Sequence, residues 1–398
     1  MGPMRFDAAR EWLSGPGRFV GDVSELLGGL CRTLMEGGLP LGRVNLAVHT
    51  LHPEMVGAGY TWQPGLERPR QRWLPRGEYQ TERYLSSPLP VIARDKRPLR
   101  RRLEGGQAVL DFAILQDLQA EGMTDYAVFP LLFSQGQAHS LSLATRVPGG
   151  FADEDLRALE SLLPMFCALL EVHETRRMVG ALLGAYLGQR TGEEVLRGHI
   201  VRGEGQLLEA ALWFCDLCDF TRLSATVSPG VLVELLNTYF DCMAEAVHAR
   251  GGEILKFIGD AMLAIFPIGP ELSRQEACRR ALEAARDALA RLEALSTSRT
   301  EENRISLRGD IALHVGKVMY GNIGSRQRLD FTVIGSAVNL LSRLEKLCGE
   351  KGRPLVFSRD FARELGQPVV SLGTFQLKGV PESQEVFALE PAAEQGGY

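Results

Sequence analysis

Hydrophobic and polar positions alternate with period two over residues 44–51 and 56–62, and His52, Pro53 and Glu54 break the run between them. That pattern predicts a half-buried hairpin. Residues 68–102 are basic, contain prolines and have only weak periodicity, so no regular element is predicted there. A short helix closed by Gly122 follows over 111–122, then two strands over 126–133 and 140–146 joined across 134–137. A long helix is predicted over 153–178. Helical character continues over 171–186, with Leu182, Leu183 and Tyr186 at helical spacing, until Gly188 and Gly192 interrupt it.

Downstream, 211–216 is an apolar strand. Ser228 followed by Pro229 marks a helix start, with proline at the first helical position, and the helix runs to about His248 before Gly251 and Gly252. Residues 253–258 and 261–266 flank Gly259-Asp260 as a tight hairpin, which puts Asp260 at its tip. Residues 273–295 predict a helix, 306–315 and 318–320 two strands, and 336–347 a further helix. Strand, helix, hairpin, helix, strand is the split βαββαβ arrangement, here with additions. The predicted class is α+β for both halves of the chain.

At 398 residues the chain is long enough for two domains. A hydrophobic content of 45% with 23% charged residues is ordinary for a soluble globular protein, and a net charge of -5 argues against nucleic-acid binding. The seven cysteines are odd in number and scattered, which does not describe a disulfide framework and fits a reducing, cytoplasmic setting. Cys215 and Cys218 form a lone C-x-x-C without a second pair, which reads as chance spacing. No secretory segment is expected from the first residues, and the longest apolar stretches, 162–172 and 178–187, are too short to span a bilayer.

The candidate chemistry lies in three blocks: LWFCDLCDFT at 212–221, EILKFIGDAML at 253–263 and DFTVIGSAVNLLSR at 330–343. The first two each bring an aspartate to a strand end, Asp216 and Asp260. The third places Asn339 and Arg343 one helical turn apart. Two carboxylates able to hold hard cations, with a permanently cationic guanidinium, suit phosphoryl transfer. Together the blocks resemble the class III nucleotidyl cyclases.

That resemblance implies a ferredoxin-like catalytic domain over 206–392. It implies that Asp216 and Asp260 hold two Mg²⁺ or Mn²⁺ ions, that Asn339 orients the ribose and that Arg343 stabilises charge at the α-phosphate. The backbone after Asp216, through Phe220 and Thr221, is expected to receive phosphate oxygens, as a helix start can. Lys378, in QLKG at 376–379, resembles the lysine near the terminal phosphates. Lys256 and Thr332 stand where family members that use ATP read adenine, and lysine donating to N1 while threonine accepts from the N6 amino group agrees with that base. The threonine marks the subclass that includes bicarbonate-responsive cyclases. Asp219 departs from the common pattern, and either adds a carboxylate near the phosphates or points to solvent.

In this family Lys256 and Asp260 serve opposite halves of a head-to-tail homodimer with two shared sites. The resemblance therefore implies an adenylyl cyclase acting on ATP. The alternatives are a guanylyl cyclase and a catalytically silent nucleotide-binding regulator. Residues 1–175 resemble a GAF or PAS type of sensor, joined by a helical linker over 176–205 and open to an unidentified small-molecule ligand. The cluster Arg97, Arg100, Arg101 and Arg102 reads either as a grip for an anion or as a solvated basic face. His49, His52 and His139 read either as ligands of a metal or haem or as structural residues.

Overall fold

The structure is a computed structural model and describes residues 6–106, 108–301 and 305–390. Residues 1–5, on which the expectation of no leader partly rests, and 391–392, the expected end of the catalytic domain, lie outside these. The chain forms two compact units, Met1–Leu182 and Leu183–Tyr398, each built on its own sheet.

The N-terminal unit contains α1 (Asp7–Ser14), α2 (Val23–Glu36), β1 (Arg43–His49), β2 (Met55–Trp62), β3 (Arg70–Pro75), α3 (Glu82–Leu85), α4 (Leu89–Asp95), β4 (Leu99–Arg102), α5 (Ala113–Ala120), β5 (Asp125–Leu132), β6 (Ala138–Thr145) and α6 (Asp153–Leu187). Its antiparallel sheet has the order β3-β2-β1-β6-β5-β4. The predicted hairpin is β1–β2, in register from Val44↔Trp62 to His49↔Gly57. Alternation puts Val44, Leu46 and Val48 on one face, packed with Leu141 and Leu143 against α1, α2 and α6. Each such side chain contributes about 1.5–3 kcal/mol on leaving water.

Residues 68–102 do contain regular structure, β3 through β4. All but one residue of β3 is exposed, so no alternation marks it in the sequence, and its ladder to β2 holds it in place. The helix expected over 153–178 continues to Leu187 through Pro164, so the linker expected from residue 176 begins inside α6.

Of the arginine cluster, Arg97 is exposed, whereas Arg100, Arg101 and Arg102 are engaged by carboxylates of their own unit. Arg100 meets the fully buried Asp125 at 2.6 Å and Asp153 at 2.5 Å, Arg101 meets Asp111 at 2.7 Å, and Arg102 lies 3.5 Å from Asp125. These pairs brace β4 against β5 and the start of α6. The three histidines do not converge either, since the His52 ring accepts a hydrogen bond from the Glu54 amide of its own turn.

The C-terminal unit contains α7 (Gln189–Leu196), β7 (Gly205–Leu217), α8 (Phe220–Thr226), α9 (Pro229–Ala249), β8 (Glu253–Ile258), β9 (Ala261–Ile268), α10 (Arg274–Glu301), β10 (Gly309–Gly324), β11 (Leu329–Ile334), α11 (Ser336–Lys351), β12 (Leu355–Ser358), α12 (Arg359–Ala362), β13 (Val369–Phe375) and β14 (Gln384–Leu389). The sheet order is β13-β14-β12-β10-β7-β9-β8, with β11 also on β10. Its central strands β10-β7-β9-β8 follow the βαββαβ plan predicted from the pattern.

Two strands were expected over 306–320, but β10 is one strand. Its ladder with β7 runs unbroken from Gly309↔Leu217 to Gly321↔Gly205, and these hydrogen bonds carry it past Gly316. β11, inside the third sequence block, was not predicted. Pro229 does begin α9, although Ser228 forms no side-chain cap. Helices α9 and α10 cover one face of the sheet, where Tyr239, Met243, Ala277 and Ala281 are fully buried, and α11 covers the other through Leu341 and Leu344. Among the described residues no helix is long and apolar enough to cross a membrane.

Candidate active site

The second half of β7 is deeply buried, with Ala210 through Trp213 and Cys215 fully buried, and it ends by bringing Asp216 to a cavity rim. Asp260 reaches the same cavity from the β8–β9 turn, where Gly259 at φ 67° takes the left-handed conformation the tight turn requires. Burial first, then Asp260, pushes the Asp216 carboxyl up to about 7.

Two further acids face this cavity. Asp310 on β10 stands directly across the ladder from Asp216. Glu345 on α11 is pushed up to about 7, by burial and then by Asp310. A like-charged pair directly opposed across a ladder is unfavourable, so the site is built at a cost that divalent cations would offset. Asp216 and Asp260 fit that role as a close carboxylate pair. Among the described residues no group of three or more His, Cys, Asp or Glu side chains is arranged to hold a metal alone, so phosphate oxygens and water must complete any coordination shell.

Cations border the same cavity: Arg222, Arg308, Lys346 and Arg353. Asp219 pairs with Arg308 at 3.0 Å, so it neither stands free beside a phosphate site nor points to solvent alone. Of the backbone amides after Asp216, that of Leu217 donates to the Asp216 carboxylate at 3.1 Å and that of Cys218 to the Arg308 carbonyl at 2.9 Å. The amides of Phe220 and Thr221, in the first turn of α8, remain for an anion.

The other expected residues lie apart from these acids. Lys256 forms an ion pair with Asp330. Thr332, two residues on and therefore on the same face of β11, is buried. Asn339 and Arg343 share a face of α11, held by Leu340, Leu341 and Leu344 on its buried side. Arg343 makes no ion pair among the described residues, so neither Glu345 nor Glu350 holds it. Lys378 is exposed. None of Lys256, Thr332, Asn339, Arg343 and Lys378 lines the acid cavity.

Sequence reasoning missed Asp310, Glu345, Arg308 and Asp330. Asp310 was legible as a charge inside the apolar run of β10, and Asp330 from strand alternation with Thr332.

Residues 205–390 match the family model of the adenylate and guanylate cyclase catalytic domain. Adenylate cyclase 1 of Rhizobium meliloti is 31% identical over 183 residues, which is 45% of this chain and 27% of that protein. The adenylate cyclase of Anabaena cylindrica is 32% identical over 184 residues, 46% of this chain and 35% of that protein. The chain thus spans about a third or less of the length of these two relatives. Among solved structures, the guanylyl cyclase Cya2 is 29% identical, covering 46% of this chain and 92% of that one with a TM-score of 0.40. The four acids around one cavity, Asp216, Asp260, Asp310 and Glu345, the lysine–aspartate pair and the asparagine and arginine of α11 all stand within residues 205–390, the segment that matches the adenylate and guanylate cyclase catalytic-domain family.

Proposed function

We propose that this protein is an adenylyl cyclase, converting ATP to 3′,5′-cyclic AMP and pyrophosphate. The observation that carries the reading is the convergence of Asp216 and Asp260 on one cavity, where burial and then the Asp260 carboxylate hold the Asp216 carboxyl well above its ordinary range. Such a pair holds two Mg²⁺ or Mn²⁺ ions, which supply activation of the ribose 3′-hydroxyl and neutralisation of the departing pyrophosphate. Arg308 and the Phe220 and Thr221 amides receive phosphate oxygens. Asn339 orients the ribose. Arg343, unpaired on α11, supplies donors to the charge that develops at the α-phosphate, and Lys378 assists at the terminal phosphates.

Adenine is favoured over guanine because Lys256 presents a donor to N1 and Thr332 an acceptor to the N6 amino group. Guanine would leave both unpaired, at about 1–3 kcal/mol each. Asp330 holds the Lys256 ammonium beside Thr332 before substrate arrives.

One chain supplies two half-sites rather than one whole site. Lys256 lies on β8 and Asp260 in the turn that follows it, three residues intervening, and only Asp260 lines the acid cavity. A head-to-tail homodimer joins the acids of one protomer to Lys256, Thr332, Asn339 and Arg343 of the other. The N-terminal unit, of GAF-like type, regulates this assembly in the cytoplasm. Purified protein assayed with ATP and with GTP in Mn²⁺ tests the reading. Cyclic AMP as the main product supports it, whereas cyclic GMP as the main product, or neither, overturns it.

A further inference from the structure

The two faces of the N-terminal sheet differ in kind. Val44, Leu46 and Val48 of β1 enter the apolar core, while Asn45, Ala47 and His49 alternate to the opposite face. Their cross-strand neighbours there are also short or polar. One row reads Thr61, Asn45, Ser142 and the next Gly59, Ala47, Ser140 across β2, β1 and β6. A sheet face that packs against helices is normally filled by branched or aromatic side chains. Here the short rows leave a cavity of about 520 Å³ beneath α4 and α5, roofed by Ile92, Ile114 and Leu118. That volume is within the range of about 300–1,000 Å³ that small-molecule sites occupy.

Three features define what the cavity accepts. Its floor hydrogen-bonds: the Thr61 hydroxyl donates to the Asn45 side-chain oxygen at 3.0 Å, which leaves the Asn45 amino group for another acceptor. One wall is aromatic, with the Tyr79 and Tyr84 rings 4.8 Å apart and His49 5.1 Å from Tyr79. Its charge is positive on balance, because four lining arginines, Arg43, Arg70, Arg72 and Arg83, face two lining carboxylates, Glu78 and Asp117. Arg43 pairs with Glu121 and Arg72 with Glu78. Arg70 and Arg83 make no ion pair among the described residues.

We propose that this cavity binds a small aromatic or heteroaromatic ring bearing one oxyanion. The ring lies against Tyr79, Tyr84 and the isoleucines, a polar ring edge meets the Asn45–Ser142 row, and the guanidinium groups of Arg70 and Arg83 take the oxyanion, whose planar oxygens their forked donors match. Haem is the competing occupant. The Tyr79 hydroxyl donates to the Val56 carbonyl at 2.9 Å and so accepts from His49 Nδ1, leaving His49 Nε2 as a lone pair suited to iron. A macrocycle, however, would cover the floor hydroxyls and amide with apolar surface and leave them unpaired.

The test uses the full-length protein with indole-3-carboxylate and phenyl phosphate as probes, and indole, acetate and inorganic phosphate as controls. At a tenfold excess over Kd either aromatic anion should raise Tm by about 3–6 °C, and calorimetric titration should show one site. The exposed double change Arg70→Ala/Arg83→Ala should weaken binding at least tenfold, and Ala47→Phe, which fills the floor, should abolish it. Where Ala47→Phe fails to fold, the arginine double variant decides. The proposal is overturned if neither aromatic anion binds, if indole binds as tightly as its carboxylate, if the arginine variant binds unchanged, or if haemin gives a Soret band that His49→Ala removes.

Discussion

Removing one acid from the Asp216–Asp260 pair should abolish activity and stabilise the fold at the same time. Asp216 rises from an ordinary 3.8 to about 7, which corresponds to about 4 kcal/mol at about 1.4 kcal/mol per pH unit for a group wholly withdrawn from water. The carboxyl is only half-buried, so solvent screening reduces this to about 1–2 kcal/mol. The sign follows from proton binding. The folded state holds this proton more tightly than the unfolded chain, so stability falls as pH rises from about 4 to about 7 and the penalty is complete above that.

Asp260→Asn removes the neighbouring charge and lowers the Asp216 carboxyl part of the way, burial being the larger cause and remaining, so that slope becomes shallower. In EDTA at pH 8, scanning calorimetry should show the variant more stable than wild type, with Tm higher by about 2 °C, since only the share of the penalty due to Asp260 is relieved. Millimolar Mn²⁺ should raise the Tm of wild type but not of the variant, since the variant lacks one of two anchoring carboxylates, and cyclic AMP formation should fall at least 1,000-fold. A variant less stable than wild type in EDTA, or equally stabilised by Mn²⁺, refutes the assignment of these two residues as a repulsive, metal-holding pair.

Three further outcomes are expected. Mixing inactive Asp260→Ala and Arg343→Ala proteins in equal amounts should restore about one quarter of wild-type activity, because half of the dimers are mixed and each has one intact site; no recovery after demonstrated subunit exchange rules out the shared site. Lys256→Glu with Thr332→Cys should shift the ratio of kcat/KM for ATP over GTP at least tenfold toward GTP, and an unchanged ratio shows that these residues do not read the base. Tyr320 bridges Thr191 of α7 and Glu253 of β8 through its hydroxyl, at 3.1 Å to each. Tyr320→Phe should therefore cost about 1–3 kcal/mol in denaturant unfolding, and a protein beginning at Leu183 should retain cyclase activity that one beginning at residue 197 loses in part.

Elements with local signals are legible from the residues alone. The β8–β9 turn needs a left-handed residue beside Asp260, and Gly259 is written there. Pro229 opens α9 because its missing amide proton costs nothing at a helix start, and the four-residue spacing of Asn339 and Arg343 places them on one face of α11 without any tertiary information. The alternation of β1 likewise announces a strand with one buried face.

The remaining features depend on contacts between segments distant in the chain. β3 has almost no buried residue and β10 runs through a glycine, so both depend on partners far away in the chain, whose ladder hydrogen bonds no local pattern records. The arginines of β4 looked free in sequence because their carboxylates, Asp111, Asp125 and Asp153, come from later elements. The meeting of Asp216, Asp260, Asp310 and Glu345 arises in the same way. Each is an ordinary acid in its own segment, and packing of β7, β10, the β8–β9 turn and α11 around one cavity brings their charges close enough, with burial, to raise the Asp216 and Glu345 carboxyls.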